Sequence, residues 1–185
     1  HRFAPEHQQT ILSSIIAIKS LQTLNLHNCN LSSDVLALII SSPRLESVNI
    51  GGLQSPWPSS NPSLTHISLL DLSGARLPHL AEGLALSIAG GSSLRELCLH
   101  GARLGSDQAI RNLLESLTQL HSLVLSDCAL NDSNIEDLVA LLPTTMTKMI
   151  TLDLSSNLID HDSMRLIAAV FANNLYDNLS GQFFD

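Results

Sequence analysis

Leu94-Arg95-Glu96-Leu97-Cys98-Leu99-His100-Gly101-Ala102-Arg103-Leu104 is the stretch that decides the fold. Its apolar residues Leu94, Leu97, Leu99, Ala102 and Leu104 alternate steps of three and two. The Leu97–Leu99 step has the period of a strand, so both leucines project to one face while Glu96, Cys98 and His100 project to the other. The same order begins at Leu21, Leu45, Ile67, Leu120 and Met149, so six copies start 24, 22, 27, 26 and 29 residues apart. One short strand cannot bury an apolar face alone. Six stacked side by side close a shared core, and this predicts parallel strands near 23–26, 47–50, 69–72, 96–99, 122–125 and 151–154. After the paired leucines, a small or sulfur residue (Cys29, Ala75, Ala102, Cys128, Asn157) is expected to turn inward. The second copy departs from this, with Leu53 and Ser55 at its last two positions.

Behind most strands the apolar period lengthens to that of a helix. Val35, Leu38 and Ile39 follow the first strand, and Ile110, Leu113, Leu114 and Leu117 the fourth. Ile135, Leu138, Val139 and Leu142 follow the fifth, and Met164, Ile167, Ala168 and Phe171 the sixth. Ser32 or Ser33, Ser106, Asp132 and Asp160 are the expected caps, because their oxygens satisfy free N–H groups of a first turn. The third helix is expected to enter through Pro78 and to end near Gly90-Gly91.

Strand plus full helix in units of this length resembles the leucine-rich repeat family, ribonuclease-inhibitor-like subclass, from Leu21 to about Phe171. The resemblance implies an α/β right-handed solenoid, or horseshoe, with a parallel sheet on the concave face and helices on the convex face. The expected organisation is one domain over residues 1–185, part of a larger protein. Residues 1–20 form a flanking or partial repeat helix, 21–171 the six repeats and 172–185 a carboxy-terminal flank. Two places break the pattern. Gln54-Ser55-Pro56-Trp57-Pro58-Ser59-Ser60-Asn61-Pro62 replaces the second helix, since its prolines forbid one. Ile11, Leu12, Ile15, Ile16 and Ile18 read as the helix of a preceding unit, whose strand is missing or lies in Arg2 to His7.

Composition limits the functions open to this chain. It has 185 residues, 44% hydrophobic but only 3% aromatic, so the core is aliphatic. Nine Lys and Arg against seventeen Asp and Glu give a formal charge of -8, which disfavours nucleic acid because phosphate neutralisation needs a basic footprint. No run is apolar enough to span a membrane. Three cysteines without a CxxC pair argue for a reducing compartment, cytoplasmic or nuclear, or a host cytosol for a bacterial effector. No GxxxxGK, GxGxxG or HExxH occurs.

The residues alternating with the repeat leucines form the expected partner-binding face: His27, Asn49, Asp71, Ser73, Glu96, Cys98, His100, Ser126, Asp153 and Ser155. It holds acids but no Lys or Arg, and so favours a partner protein with a basic surface segment. Cys98 and His100 with Asp71 beside them are the one candidate nucleophile or metal set. Same-face residues two apart on a strand lie about 7 Å apart, too far for a nucleophile and its base. No catalytic residue, cofactor or metal is therefore assigned. His27 and His100, three units apart, are taken as separate rim contacts. Cys29 and Cys128 are expected to be buried thiols. Arg76 and Arg103, at one offset in consecutive units, form a possible basic rim, either paired with nearby acids or clamping an acidic or phosphorylated segment. Trp57 either covers the core left open by the missing helix or anchors a partner, and Phe171, Tyr176, Phe183 and Phe184 are expected to shield the last unit's open edge, unless Phe183-Phe184 begin a continuation.

The reading is a non-catalytic protein-interaction module acting through the concave face and loop rims. The resemblance also admits a GTPase-regulating domain like the Ran GTPase-activating protein, a bacterial effector, a ubiquitin-ligase receptor or an innate immune sensor. Leu99→Asp is expected to unfold the array and Asp71→Lys to leave it intact.

Overall fold

The computed structural model describes residues 5–77 and 79–180. Helix α1 (Pro5–Ile16) precedes six three-residue strands: β1 (Thr23–Asn25), β2 (Ser47–Asn49), β3 (Leu69–Asp71), β4 (Glu96–Cys98), β5 (Ser122–Val124) and β6 (Thr151–Asp153). Helices α2 (Ser33–Ile40), α3 (Leu80–Ala89), α4 (Asp107–Ser116), α5 (Asp132–Leu141) and α6 (His161–Ser180) follow β1, β3, β4, β5 and β6. The strands form one sheet in chain order, every pair parallel, with Leu24, Val48, Leu70, Leu97, Leu123 and Leu152 in one register row. Helix α1 covers the position expected for a preceding strand from Pro5 onward. The entry of α3 at Pro78 and the side-chain roles expected of Tyr176, Phe183 and Phe184 fall outside what the structure describes.

Each strand is one residue shorter than its spacing predicts, yet the hydrogen-bonded ladder outlasts it. Leu26, Ile50, Leu72, Leu99 and Leu125 donate their N–H groups to Asn49, Asp71, Cys98, Val124 and Asp153 of the next unit. Two residues further on, Asn28, Gly52, Gly74, Gly101 and Asp127 donate to Gly51, Ser73, His100, Ser126 and Ser155. The chain turns there by entering the left-handed region: Asn28, Gly52, Gly74, Gly101, Asp127 and Ser156 all have φ between 56° and 72°. Glycine tolerates that region by lacking a Cβ, and Asn and Asp by local side-chain hydrogen bonding; Ser156, in the last unit, is the exception.

The core is a continuous aliphatic column. Leu70, Leu72, Leu97, Leu99, Leu123 and Leu125 are buried as expected, whereas Leu26, Leu152 and Leu154 are half-buried. The exceptions lie in the first and last units, each of which has a neighbouring strand on one side only. The same cause exposes Met164, Ala168 and Phe171 on α6, where Ile167 and Ser163 alone among the expected face and its flank are buried. On α2 the buried stripe is Val35, Leu36, Ile39 and Ile40, and Leu38 points outward.

The caps tie unit to unit. Ser32 and Ser106 accept from Val35 and Ala109, while α5 is capped by Asn131, in a reciprocal pair with Asn134, rather than by Asp132. Asp132 is instead turned to the next unit, accepting from the Asp160 N–H at 2.9 Å and the Ser163 hydroxyl at 2.8 Å. Those donors, the Asp160 backbone foremost, hold its carboxyl below the usual range.

Residues 54–62 cross the back of the sheet without a helix. Trp57 is buried there, donating its indole N–H to the Ser87 hydroxyl of α3 at 3.0 Å. Gly83 is what lets the ring lie against α3: a Cβ on it would come within 2.5 Å of Trp57 Cδ1. Trp57 therefore fills the place of the missing helix. It is not presented as an exposed anchor.

Candidate protein-binding face

The uncovered face of the sheet carries three rows, one residue per strand. The first is Thr23, Ser47, Leu69, Glu96, Ser122 and Thr151; the second is Asn25, Asn49, Asp71, Cys98, Val124 and Asp153. The third, beyond the strand ends, is His27, Gly51, Ser73, His100, Ser126 and Ser155. Of the expected face residues, His27, Glu96, His100 and Ser155 are exposed, while Asn49, Asp71, Ser73, Cys98 and Asp153 are half-buried. Ser126 is a correction. It is buried, with its hydroxyl 3.0 Å from Nδ1 of His100.

The polar side chains of the second row serve the turn after each strand. The Oδ1 atoms of Asn25, Asn49, Asp71 and Asp153 accept the N–H two residues on, from His27, Gly51, Ser73 and Ser155, at 2.8 to 3.0 Å. Asp71 also takes the Ser73 hydroxyl and, at 2.7 Å, the Asn49 amide of the neighbouring strand. Its carboxylate is thus part of the scaffold, contrary to the expectation that Asp71→Lys leaves the fold untouched. Asp153 is held below the usual carboxylate range, first by the Ser155 N–H and hydroxyl, then by the Ser126 hydroxyl and the His100 charge. Both acids of this row are thus committed to turn geometry.

Cys98 and His100 do not meet. The Cys98 sulfur lies 3.1 Å from the Ser73 hydroxyl of the preceding unit, and His100 leans to Ser126 of the following one. Nucleophile and base are drawn to opposite neighbours. Among the described residues no group of three or more His, Cys, Asp or Glu is placed to hold a metal ion.

No protein-family model matches this chain, and no curated protein matches it. Among solved structures it is similar to the tropomodulin C-terminal domain of Caenorhabditis elegans, with a TM-score of 0.55 and 13% identity over 96% of each chain. It is also similar to an internalin from Listeria monocytogenes, with a TM-score of 0.56 and 20% identity over 84% of this chain and 47% of that one. This chain spans about half of that internalin's length. The fold is a leucine-rich repeat solenoid. At these identities the likeness concerns fold alone.

Within the leucine-rich repeat frame, the inward position after each strand joins consecutive units. Asn157 accepts from the N–H groups of Cys128 and Leu130 and donates to the carbonyls of Leu125 and Leu154. Cys128 is buried as expected, its thiol directed at the Leu99 carbonyl at 3.0 Å, and burial pushes its pKa up to about 11. Cys29 is a correction: it is exposed. Its unit is the first described, and no earlier strand loop supplies the carbonyl and the cover that Leu99 supplies to Cys128. A disulfide-exchange reagent at pH 8 should therefore label Cys29 within the mixing period, while Cys128 reacts only on unfolding. Equal rates at both would contradict this burial assignment.

Arg76 and Arg103 are stacked as their offsets imply, with the Arg76 N–H bonded to Leu53 and that of Arg103 to Ala75. Both are exposed, and among the described residues neither guanidinium has an ion pair, whereas Arg111 pairs with Glu115 and Asp137. The expected pairing with nearby acids is absent from this ridge. Sequence reasoning missed the turn-forming role of the second row. Its signal was present: Asn or Asp recurs at that one offset in four of six units.

Proposed function

We propose that this leucine-rich repeat domain is a non-catalytic protein-interaction module that holds its partner on the uncovered sheet face and the adjoining loop rims. The observation that carries the reading is the face itself: a six-strand surface of small polar and acidic groups, with no Lys or Arg, in which Cys98 and His100 are kept apart. Its charge favours a partner protein with a basic surface segment over nucleic acid, because complementary potentials speed encounter and like charges are rejected. No helix among the described residues is long and apolar enough to cross a membrane. Three free thiols fit a reducing compartment, cytosol or nucleus. Full helices behind five of the six strands support the ribonuclease-inhibitor-like subclass, and one continuous sheet through the six repeats over 21–171 supports a single domain.

Glu96 is the residue for the test, since it is exposed on the first row and, among the described residues, its carboxylate makes no hydrogen bond or ion pair. Glu96→Lys should weaken capture of the bound partner by about tenfold and flatten its salt dependence, while Glu136→Lys on the helical side leaves capture unchanged. Equal capture by both variants would sink the assignment to the sheet face.

A further inference from the structure

The rim above the sheet has a chemistry opposite to the face below it. A hollow of about 380 Å³ lies along the turns of the first four units, lined by His27, Asn28, Gln54, Ser73, Arg76 and His100 and floored by Gly52 and Gly74. Every lining side chain carries a hydrogen-bond donor, and none is a carboxylate. Asp71, one row below, is turned to Asn49 and Ser73 and is not among the lining groups. In a chain of charge -8 this is a local reversal of sign.

Glycines build the hollow. A methyl group at Gly51 would run into the imidazole of His27, and one at Gly52 into the amide of Asn28. Their absence lets both side chains lie across the second unit. Gly74 faces open space, with no atom closer than 4.0 Å to the place its Cβ would take. The fourth unit repeats the glycine as Gly101 beside His100, whereas the fifth and sixth carry Ser126-Asp127 and Ser155-Ser156 at the corresponding positions, so the opening ends at the fourth. Three interstrand steps separate His27 from His100, about 14 Å, longer than one small anion needs and suited to a short extended segment. The two histidines expected to act separately thus line the two ends of one trough, with the unpaired Arg76 between them.

We propose that this trough binds a phosphoryl group carried on an extended protein segment, with the Arg76 guanidinium as its charged contact and His27, Asn28 and Gln54 as further donors. A guanidinium without an internal carboxylate partner offers its fork to an oxyanion at no cost in broken ion pairs. The proposal rests on the protein-binding reading for its ligand class, but it concerns the rim rather than the face.

The test titrates the whole protein with an end-blocked Gly-phosphoSer-Gly tripeptide and follows backbone amides by ¹H–¹⁵N NMR. Saturable shifts at Gly52, Gly74 and Arg76 are expected. Arg76→Ala should weaken binding on the order of tenfold, as loss of one charge-assisted pair does, and Arg111→Ala should leave it unchanged. Absence of saturable shifts, equal binding by Arg76→Ala, or equal binding of the unphosphorylated tripeptide would overturn the proposal. So would tighter binding of a short thymidine oligonucleotide, which would make the trough a nucleic-acid site. The titration needs no partner protein, so its failure leaves the Glu96→Lys test of the sheet face standing.

Discussion

Leu99→Asp should abolish the cooperative thermal transition. Leu99 is fully buried, between Leu72 and Leu125 of the adjoining units, which are buried as well. Truncating a buried leucine costs about 2–5 kcal/mol. The carboxylate adds a further desolvation cost of several kcal/mol, whether the group stays ionised or takes up a proton. A domain stabilised by about 5–15 kcal/mol does not absorb both. Far-UV circular dichroism against temperature should show a sloping loss of signal and no sigmoid. Glu96→Lys, three residues earlier on the opposite face, should keep the sigmoid. A cooperative melt of Leu99→Asp within a few degrees of the parent would refute the continuous column.

The column was legible in the sequence because it depends on spacing alone. Leu70, Leu97 and Leu123 are placed by the same interval in every unit, and any stacking of such units buries them. What spacing cannot reveal is the supply of neighbours. Cys29 and Cys128 occupy one repeat position, yet Cys128 has the Leu99 carbonyl above it and Cys29 has no such unit among the described residues. Leu26 and Leu154 differ from Leu99 for the same reason. Side-chain direction is the second illegible quantity. His27 and His100 share an offset, but His27 lies over Gly51 while His100 is drawn to Ser126. Their common trough therefore arises from the glycines between them, which the alternation of leucines does not register. The turn-forming role of Asp71 lies between these cases, visible as a recurring Asn or Asp but hidden by reading each exposed acid as free charge.

Trp57→Ala should be the costliest change outside the leucine column. Truncating a buried tryptophan removes about 3–5 kcal/mol, and here it also leaves the fully buried Ser87 hydroxyl without its indole partner. For a chain of this length that is a fall in Tm of roughly 10 °C. Trp57→Phe keeps most of the buried ring and should lose less than half as much. Gly83→Ala distinguishes a seated ring from a loosely covering one. Alanine is the better helix former by about 1 kcal/mol, so an unconstrained position 83 would be stabilised by the change. The structure gives the opposite sign, because the added methyl would stand 2.5 Å from Trp57 Cδ1 and displace either the ring or α3. Trp57 is the single tryptophan of the chain, so its fluorescence reports the displacement directly. Gly83→Ala should shift emission to longer wavelength and lower Tm together; a higher Tm with unchanged emission would mean that residues 54–62 do not stand in for the missing helix. The same segment runs from Gln54 on the rim of the trough to Trp57 behind the sheet, so loosening the ring should also weaken phosphopeptide binding at Arg76, with the charged contact itself left intact.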